Sequence, residues 1–504
     1  MKKLLYFFAL VLCYNVQAQT RTVAADWIGT IQEAGRPLEI FIHITGDAAS
    51  GFTGDWASPQ EHAMGLKIRN IEAGADSLII SMGTIPATFR GKYVTNDSVF
   101  GVWIQNGQRT SMPLAKVRRP QTPKPPFPYR SDSVEYDNAA GTVHLGATLT
   151  IPAEGGEIRR SAKTGRNGAK LSSSGMTGQA GSTSSRLEGA GKAKKYPAVI
   201  LITGSGQQDR DETIFAHRPF AVIADYLTRR GIAVLRVDDR GIGRSTGDLT
   251  KATSADFADD VLAGIRYLQT RSDIDSTRIG LIGHSEGGFI APIVYSRWPH
   301  LKCLVLLAGT GVPGSQIILR QQTDPVKKIG AGAYEAYYPL IKEKLEIITG
   351  AQDLPDTAIL NRLKTSFARW KAGLADSLST ILRAKNVTPE MYAFQERAEL
   401  QPWLRYFYAT DPAIFLRQVK CPVLAVDGEK DTQVDPRQNI PAIKAALANS
   451  GAVADTIVFK GLNHLFQHSI TGQLAEYPRI EESFAPEVLG VMGDWMRKWL
   501  VDLK

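Results

Sequence analysis

Arg278-Ile279-Gly280-Leu281-Ile282-Gly283-His284-Ser285-Glu286-Gly287-Gly288 is the stretch on which the reading of this chain turns. Its first five residues end in a short apolar run of strand character. Gly283 to Gly287 has the form G-x-S-x-G, and Glu286 to Tyr295 continues at helical spacing. A serine at a sharp strand-to-helix turn sits in a strained backbone, so its neighbours must be small to let chain segments approach. The turn lifts the hydroxyl off the sheet edge and sets it at a helix N-terminus. The pattern alone arises often by chance; a strand before it and a helix after it are the context it requires, and both are present. Ser285 is the candidate nucleophile.

Outward from this turn, strands alternate with helices. Ala198 to Thr203, Ala233 to Val237, Ile279 to Gly283, Leu304 to Ala308, Val423 to Asp427 and Thr456 to Phe459 read as strands. Phe220 to Arg229, Asp256 to Thr270, Glu286 to Tyr295, Ile440 to Ala448 and Pro486 to Leu500 read as helices. This alternation predicts an α/β domain, a mostly parallel sheet covered on both faces. Two further strands, Ser133 to Tyr136 and Thr142 to Ile151, precede it. The interval 310–418 is rich in Leu, Ala, Lys, Glu and aromatics at helical spacing, and reads as a helical cap inserted after a core strand.

An alcohol is a poor nucleophile at neutral pH, so Ser285 needs a base and the base needs an orienting acid. With a serine at such a turn, the chain order is Ser, then Asp or Glu, then His. Of the eight histidines, His284 adjoins the serine and is expected to point away from it. After a suitable acid only His464 and His468 remain. His464 follows the strand ending at Phe459 and is the preferred base; His468 is the alternate. Asp431, in the loop after Val423 to Asp427, is the preferred acid. Asp427 lies on the strand, and Asp435 begins the next helix. The oxyanion needs preorganised N–H donors. One is expected from the backbone of Glu286. The other is expected from the loop after the Ala198–Thr203 strand, at Ser205 or Gly206.

Three segments carry a resemblance: Ile202-Thr203-Gly204-Ser205-Gly206-Gln207-Gln208-Asp209-Arg210-Asp211-Glu212, Asp238-Asp239-Arg240-Gly241-Ile242-Gly243-Arg244-Ser245-Thr246-Gly247, and Gly283 to Gly288. They resemble the signatures of EstD-like bacterial carboxylesterases of the α/β-hydrolase superfamily, over roughly 130–504. The resemblance implies the α/β-hydrolase fold, esterase activity on short acyl chains, and the roles of nucleophile, acid and base for Ser285, Asp431 and His464. A small β domain in front of the hydrolase also fits that family; a basic insertion at 155–196 departs from it. Asp209, Arg210, Asp211, Asp239 and Arg240 read as loop-fixing ion pairs rather than substrate contacts.

The N-terminal part is of another kind. Lys2 and Lys3, the apolar run Leu4 to Leu12 and Val16-Gln17-Ala18 read as an export leader over 1–18. The run is too short to span a bilayer, and lipid attachment at Cys13 is disfavoured by Leu12 before it. The expected destination is periplasmic or extracellular. Residues 19–118 read as a small all-β domain. Leu38, Ile40, Ile42 and Ile44 alternate with Glu39, Phe41 and His43, and Asn106-Gly107 reads as a tight hairpin turn. Trp27, Trp56 and Trp103 are its core or line a ligand site. Residues 119–130 hold five prolines and read as a semi-rigid linker, leaving 131–504 as the hydrolase domain. The stretch 155–196 almost lacks large apolar residues and is expected to be disordered.

The formal charge is +9, but residues 157–196 carry nine Lys+Arg against two Asp+Glu. The basic balance thus sits in one segment and is no evidence for nucleic-acid binding by the enzyme body. Cys303 and Cys421 border apolar runs and read as buried thiols. No H-E-x-x-H, paired Cys-x-x-Cys, Walker A or dinucleotide fingerprint occurs, so no metal or cofactor is expected. The partner expected is a small-molecule ester, cleaved through an acyl-enzyme. Tyr337, Trp370, Trp403 and Phe407 either line its pocket or fill the cap. A peptidase of the same fold, or a ligand-binding protein with an inert hydrolase body, are the competing readings.

Overall fold

The structure is a computed structural model describing residues 23–33, 35–61, 63–153 and 194–502. The expected leader, and all but the last residues of the basic insertion, lie outside the described residues. The chain divides into two compact units, Met1–Arg118 and Arg119–Lys504.

The first unit is a closed antiparallel barrel. Its strands are β1 (Asp26–Glu33), β2 (Arg36–Asp47), β3 (Gly51–Ser58), β4 (Ala63–Ala73), β5 (Ser77–Met82), β6 (Ala87–Thr95), β7 (Ser98–Gln105), β8 (Gln108–Ser111) and β9 (Leu114–Lys116). Neighbours pair in sequence from β1 to β7; β9 then pairs both β7 and β1, which closes the ring. β8 and β9 share one edge of β7 in one register, Val102 facing Ser111 and Ser98 facing Ala115. Between them stands Pro113, which has no N–H for the ladder. Asn106 and Gly107, both at positive φ (51° and 80°), form the two-residue turn between β7 and β8. Among the described residues, closure through β9 leaves only the short β8 with an unpaired edge, and in barrels this narrow side chains fill the interior. Trp27, Ile42, Leu78, Ile80, Phe89 and Trp103 do so here. Trp56 meets Trp103 edge-on at 6.1 Å. All three tryptophans named from the sequence are core residues.

The second unit holds an eight-stranded sheet. Its strands are β10 (Tyr129–Asp137), β11 (His144–Pro152), β12 (Tyr196–Ile202), β13 (Ala233–Val237), β14 (Ile274–His284), β15 (Leu304–Leu307), β16 (Val423–Gly428) and β17 (Ala454–Phe459), in the order β10-β11-β13-β12-β14-β15-β16-β17. β10 and β11 are antiparallel additions at one edge; β13 through β17 run parallel. Every residue of β12, β15 and β16 is buried, as strands covered on both faces must be. Helices α1 (Pro219–Thr228), α2 (Ser254–Thr270) and α3 (Glu286–Arg297) come between these strands. Thr253 and Asp256 close a capping box at the start of α2.

Between β15 and β16 the chain makes seven α-helices and one short 3-10 helix (Glu396–Leu400); the α-helices are α4 (Gly314–Lys327), α5 (Ala331–Thr349), α6 (Asp356–Ala372), α7 (Asp376–Ile381), α8 (Pro389–Gln395), α9 (Pro402–Ala409) and α10 (Ala413–Leu416). They carry a core of their own, including Leu340, Leu345, Ile359, Leu363, Phe367 and Tyr392, against which Tyr337, Trp370 and Phe407 pack. Two last helices, α11 (Pro436–Ala448) and α12 (Pro486–Met496), complete the layers. α2, α3 and α11 contribute to the core on one face of the sheet, α1 and α12 to that on the other.

The proline-rich run differs from a free linker. The Arg119 guanidinium donates to the carbonyls of Phe215 and Pro478, and Gln121 bonds Ser483 and Phe484. β10 already begins at Tyr129. Side-chain hydrogen bonds that composition does not reveal thus hold this run on the second unit.

Candidate active site

The sheet's connections reverse direction around β12: the chain passes from β12 to β13 on one side, then returns to β14 on the other. Such a switch point opens a crevice at the carboxyl ends of the strands, where ligands bind in α/β sheets. Ser285 stands at that end of β14, at φ 52° and ψ −115°, as the residue that starts α3. A non-glycine residue at positive φ is strained. The strain is held by packing that only glycine permits. A Cβ on Gly283 would lie 2.0 Å from the Gly287 carbonyl oxygen, and one on Gly287 would lie 2.2 Å from that of Ile202. Ser285 N–H donates to the Leu307 carbonyl at 2.8 Å, pinning the turn to β15.

His464 and Asp431 meet across two loops. His464 Nδ1 lies 2.5 Å from Asp431 Oδ2, and both side chains are buried. The other Asp431 oxygen accepts the N–H groups of Gln433 (2.7 Å) and Val434 (2.9 Å), which fixes its plane. The alternates lie elsewhere. His468 is on the surface with Glu482 and Glu487. Asp435 caps α11 and pairs with Arg320 and Arg437. Asp427 is the penultimate residue of β16, fully buried near Asp431; burial first, then the charge of Asp431, pushes its carboxyl well above the ordinary range.

The loop after β12 approaches the serine at Gly204, where a Cβ would lie 3.2 Å from Ser285 Cβ. Gly204 N–H is already engaged, donating to Glu212 Oε1 at 2.7 Å. Ser205 and Gly206 follow it, Gly206 at φ 93°. Asp239 fastens this loop by accepting from Thr203 Oγ1 (2.7 Å) and Gln208 N–H (3.0 Å). The charged loop residues pair internally: Arg210 bidentate with Asp238, Arg240 with Asp260, Arg236 with Asp211. A pocket adjoins this loop; Ile202, Val237, Phe257, Val261 and Ile290 form apolar walls beside Gly204 and Gly206, and Asp238, Asp239, Arg240 and Asp260 also line it.

Glu286, the residue after the serine, has its side chain buried. Its Oε1 accepts from Ser254 Oγ and from Trp403 Nε1, both at 2.7 Å. Burial raises its carboxyl pKa to about 7, with these two donors opposing. Trp403 comes from α9, so of the four aromatics named from the sequence it is the one that touches the serine's neighbour. Sequence reading missed Glu212, which lay inside a quoted motif, and assigned His284 no contact. A buried histidine beside a serine invites a search for its two partners, but loop geometry supplies them. Cys303 and Cys421 are buried free thiols. Among the described residues no three His, Cys, Asp or Glu gather as metal ligands, and no helix is long and apolar enough to cross a membrane.

Fold and turn geometry together define an α/β hydrolase. Residues 217–356 match the family described as Hydrolase_4, Serine aminopeptidase, S33. Esterase EstD of Thermotoga maritima is 24% identical over 273 residues, 54% of this chain and 54% of that protein. The match thus spans about half the length of that relative. A 2-hydroxy-6-oxononadienedioate/2-hydroxy-6-oxononatrienedioate hydrolase of Escherichia coli is 22% identical over 195 residues, 38% of this chain and 62% of that protein. Among solved structures, a Mycobacterium tuberculosis puromycin-hydrolyzing peptidase aligns at TM-score 0.44 and 13% identity, covering 92% of this chain and 52% of its own. The Pyrococcus furiosus esterase Pf2001 aligns at TM-score 0.38 and 16% identity, covering 76% of this chain and 98% of its own. The second unit has the α/β-hydrolase fold, and the chain is homologous to Esterase EstD over about half its length.

Proposed function

We propose that this protein is a serine carboxylesterase acting on esters of short acyl chains. The carrying observation is the strained Ser285 turn at the switch point, on a unit that also holds the buried His464–Asp431 pair. In this reading Ser285 Oγ attacks the ester carbonyl carbon as its proton passes to His464 Nε2. The C–O bond to the alcohol then breaks, and the alcohol leaves with that proton. Water, deprotonated by His464, hydrolyses the acyl-enzyme. Asp431 accepts from His464 Nδ1–H and stabilises the imidazolium. Backbone N–H groups of Glu286 and of Ser205 or Gly206 receive the oxyanion. The pocket beside Gly204 takes the acyl chain against its apolar walls, and the preference for a short one rests on the likeness to EstD-like carboxylesterases.

The test is turnover of p-nitrophenyl esters from acetate to palmitate by the wild type and by Ser285→Ala. Ester hydrolysis lost in the variant supports the reading; turnover surviving it overturns the assignment of Ser285. Aminoacyl-p-nitroanilides belong in the same panel, because the matched family is described as a serine aminopeptidase and amide and ester share one oxyanion. Faster anilide turnover would move the proposal to a peptidase. Export is part of the proposal, supported by the leader-like start; fractionation of cells expressing the full chain tests it.

A further inference from the structure

The catalytic reading leaves one buried pair unused. The imidazole of His284, beside the nucleophile, lies between two acceptors. Nδ1 is 2.8 Å from Glu212 Oε1, and Nε2 is 3.0 Å from the backbone carbonyl oxygen of His464. A neutral imidazole has one N–H and one lone pair. It satisfies one of these partners and turns a lone pair on the other. The doubly protonated ring satisfies both, and the Glu212 carboxylate balances its charge inside a dry site. Both side chains are almost fully buried, at 7% and 5% exposure, where a charge without a partner is costly.

Glu212 does a second thing with the same oxygen: it accepts Gly204 N–H at 2.7 Å. One carboxylate thus touches the oxyanion loop, reaches the nucleophile turn through His284, and through it the loop of the base. Its backbone is strained at φ 53°, and Phe215 and Ala216 also take positive φ. Asp209 braces the loop by accepting the N–H groups of Asp211 and Thr213. Strain held in place by such bracing commonly marks a functional position.

We infer that Glu212 and His284 form a buried ion pair that positions the oxyanion loop and the catalytic base. The inference rests on the esterase reading above. The ring centroids of His284 and His464 are 4.7 Å apart. The groups facing His284 are Glu212, His464 and Asp431. Burial is the largest single influence and works against its charge, but the Glu212 charge and hydrogen bond, the His464 carbonyl and the Asp431 charge together raise the ring above the ordinary imidazole range.

The experiment compares Glu212→Gln and His284→Gln with wild type, measuring kcat and KM on p-nitrophenyl acetate. The expected result is a kcat at least about tenfold lower at a KM changed far less, as misplaced reacting groups produce. Native circular dichroism in both variants shows that the loss is not one of folding. Unchanged kcat in both overturns the positioning role. Should neither variant fold, 15N-histidine NMR of the wild type decides: a singly protonated His284 ring at neutral pH refutes the ion pair. Ser285→Ala runs alongside; if it retains turnover, the esterase reading itself has failed, independently of His284.

Discussion

His464 Nδ1 and Asp431 Oδ2 lie 2.5 Å apart, and the other oxygen of the same carboxylate is held by two backbone N–H groups. Asp431 therefore cannot rotate without losing contacts on both oxygens, and it sets the ring so that Nε2 is the nitrogen left for chemistry. Asp431→Asn keeps the shape but can offer its NH₂ to Nδ1, which selects the wrong tautomer. The expected loss in kcat is about 10⁴-fold, as for an orienting aspartate in other such triads. Stopped-assay turnover on p-nitrophenyl acetate measures it, and a loss under tenfold would remove Asp431 from the mechanism.

Asp427 provides the contrast. It sits four residues before Asp431 and is more deeply buried, and burial, then the neighbouring carboxylate, pushes its carboxyl well above the ordinary range, favouring the uncharged form. An uncharged acid already resembles an amide, so Asp427→Asn should change kcat/KM by no more than one hydrogen bond's worth, about fivefold. If Asp427→Asn is the more damaging of the two asparagine variants, the acid has been assigned to the wrong residue.

Much of the catalytic unit was legible because the constraints are local. A strand ending in a short apolar run, a G-x-S-x-G turn and a following helix occupy consecutive residues, and close approach at Gly283 and Gly287 leaves no other side chain possible. The barrel was legible as alternation in β2 and as the Asn106-Gly107 turn, but its closure was not, because β1 and β9 pair over about ninety intervening residues. Legibility also failed where one side chain serves two distant loops. Glu212 meets His284 across 72 positions, Trp403 meets Glu286 across 117, and Arg119 reaches Pro478 across 359. Each is a single hydrogen bond with no periodicity to announce it. The proline-rich run misled for the same reason: composition reports stiffness, whereas Arg119 and Gln121 decide what the run is fastened to.

The pocket beside Gly204 makes a size prediction. Phe257 of α2 and Ile290 of α3 are among its apolar walls. Ile290→Ala or Phe257→Ala should move the preferred acyl chain to greater length, since each buried CH₂ is worth about 0.8 kcal/mol, or about fourfold in kcat/KM. The profile of kcat/KM against chain length checks this. A profile that falls in parallel with wild type at every length would place the acyl chain elsewhere.

Glu286 carries the last prediction. Its carboxyl is raised from 4.5 to about 7 by burial, against two hydrogen bonds from Ser254 and Trp403. The folded state therefore binds this proton more tightly than the unfolded chain does. Its contribution to stability is fully present below the unfolded pKa and is lost as pH rises through about 7. A Gln at 286 accepts the same two hydrogen bonds, keeps the backbone N–H assigned to the oxyanion, and cannot ionise. Glu286→Gln should match wild type near pH 4.5 and exceed it near pH 8, narrowing the difference in Tm between those conditions by about 2 °C or more. Trp403→Phe removes one donor to the carboxylate and should deepen the alkaline loss instead. Thermal melts across that range decide the matter. Parallel pH dependence in wild type and Glu286→Gln would mean that the carboxyl ionises freely despite its burial, and that Trp403 is held to it by packing alone.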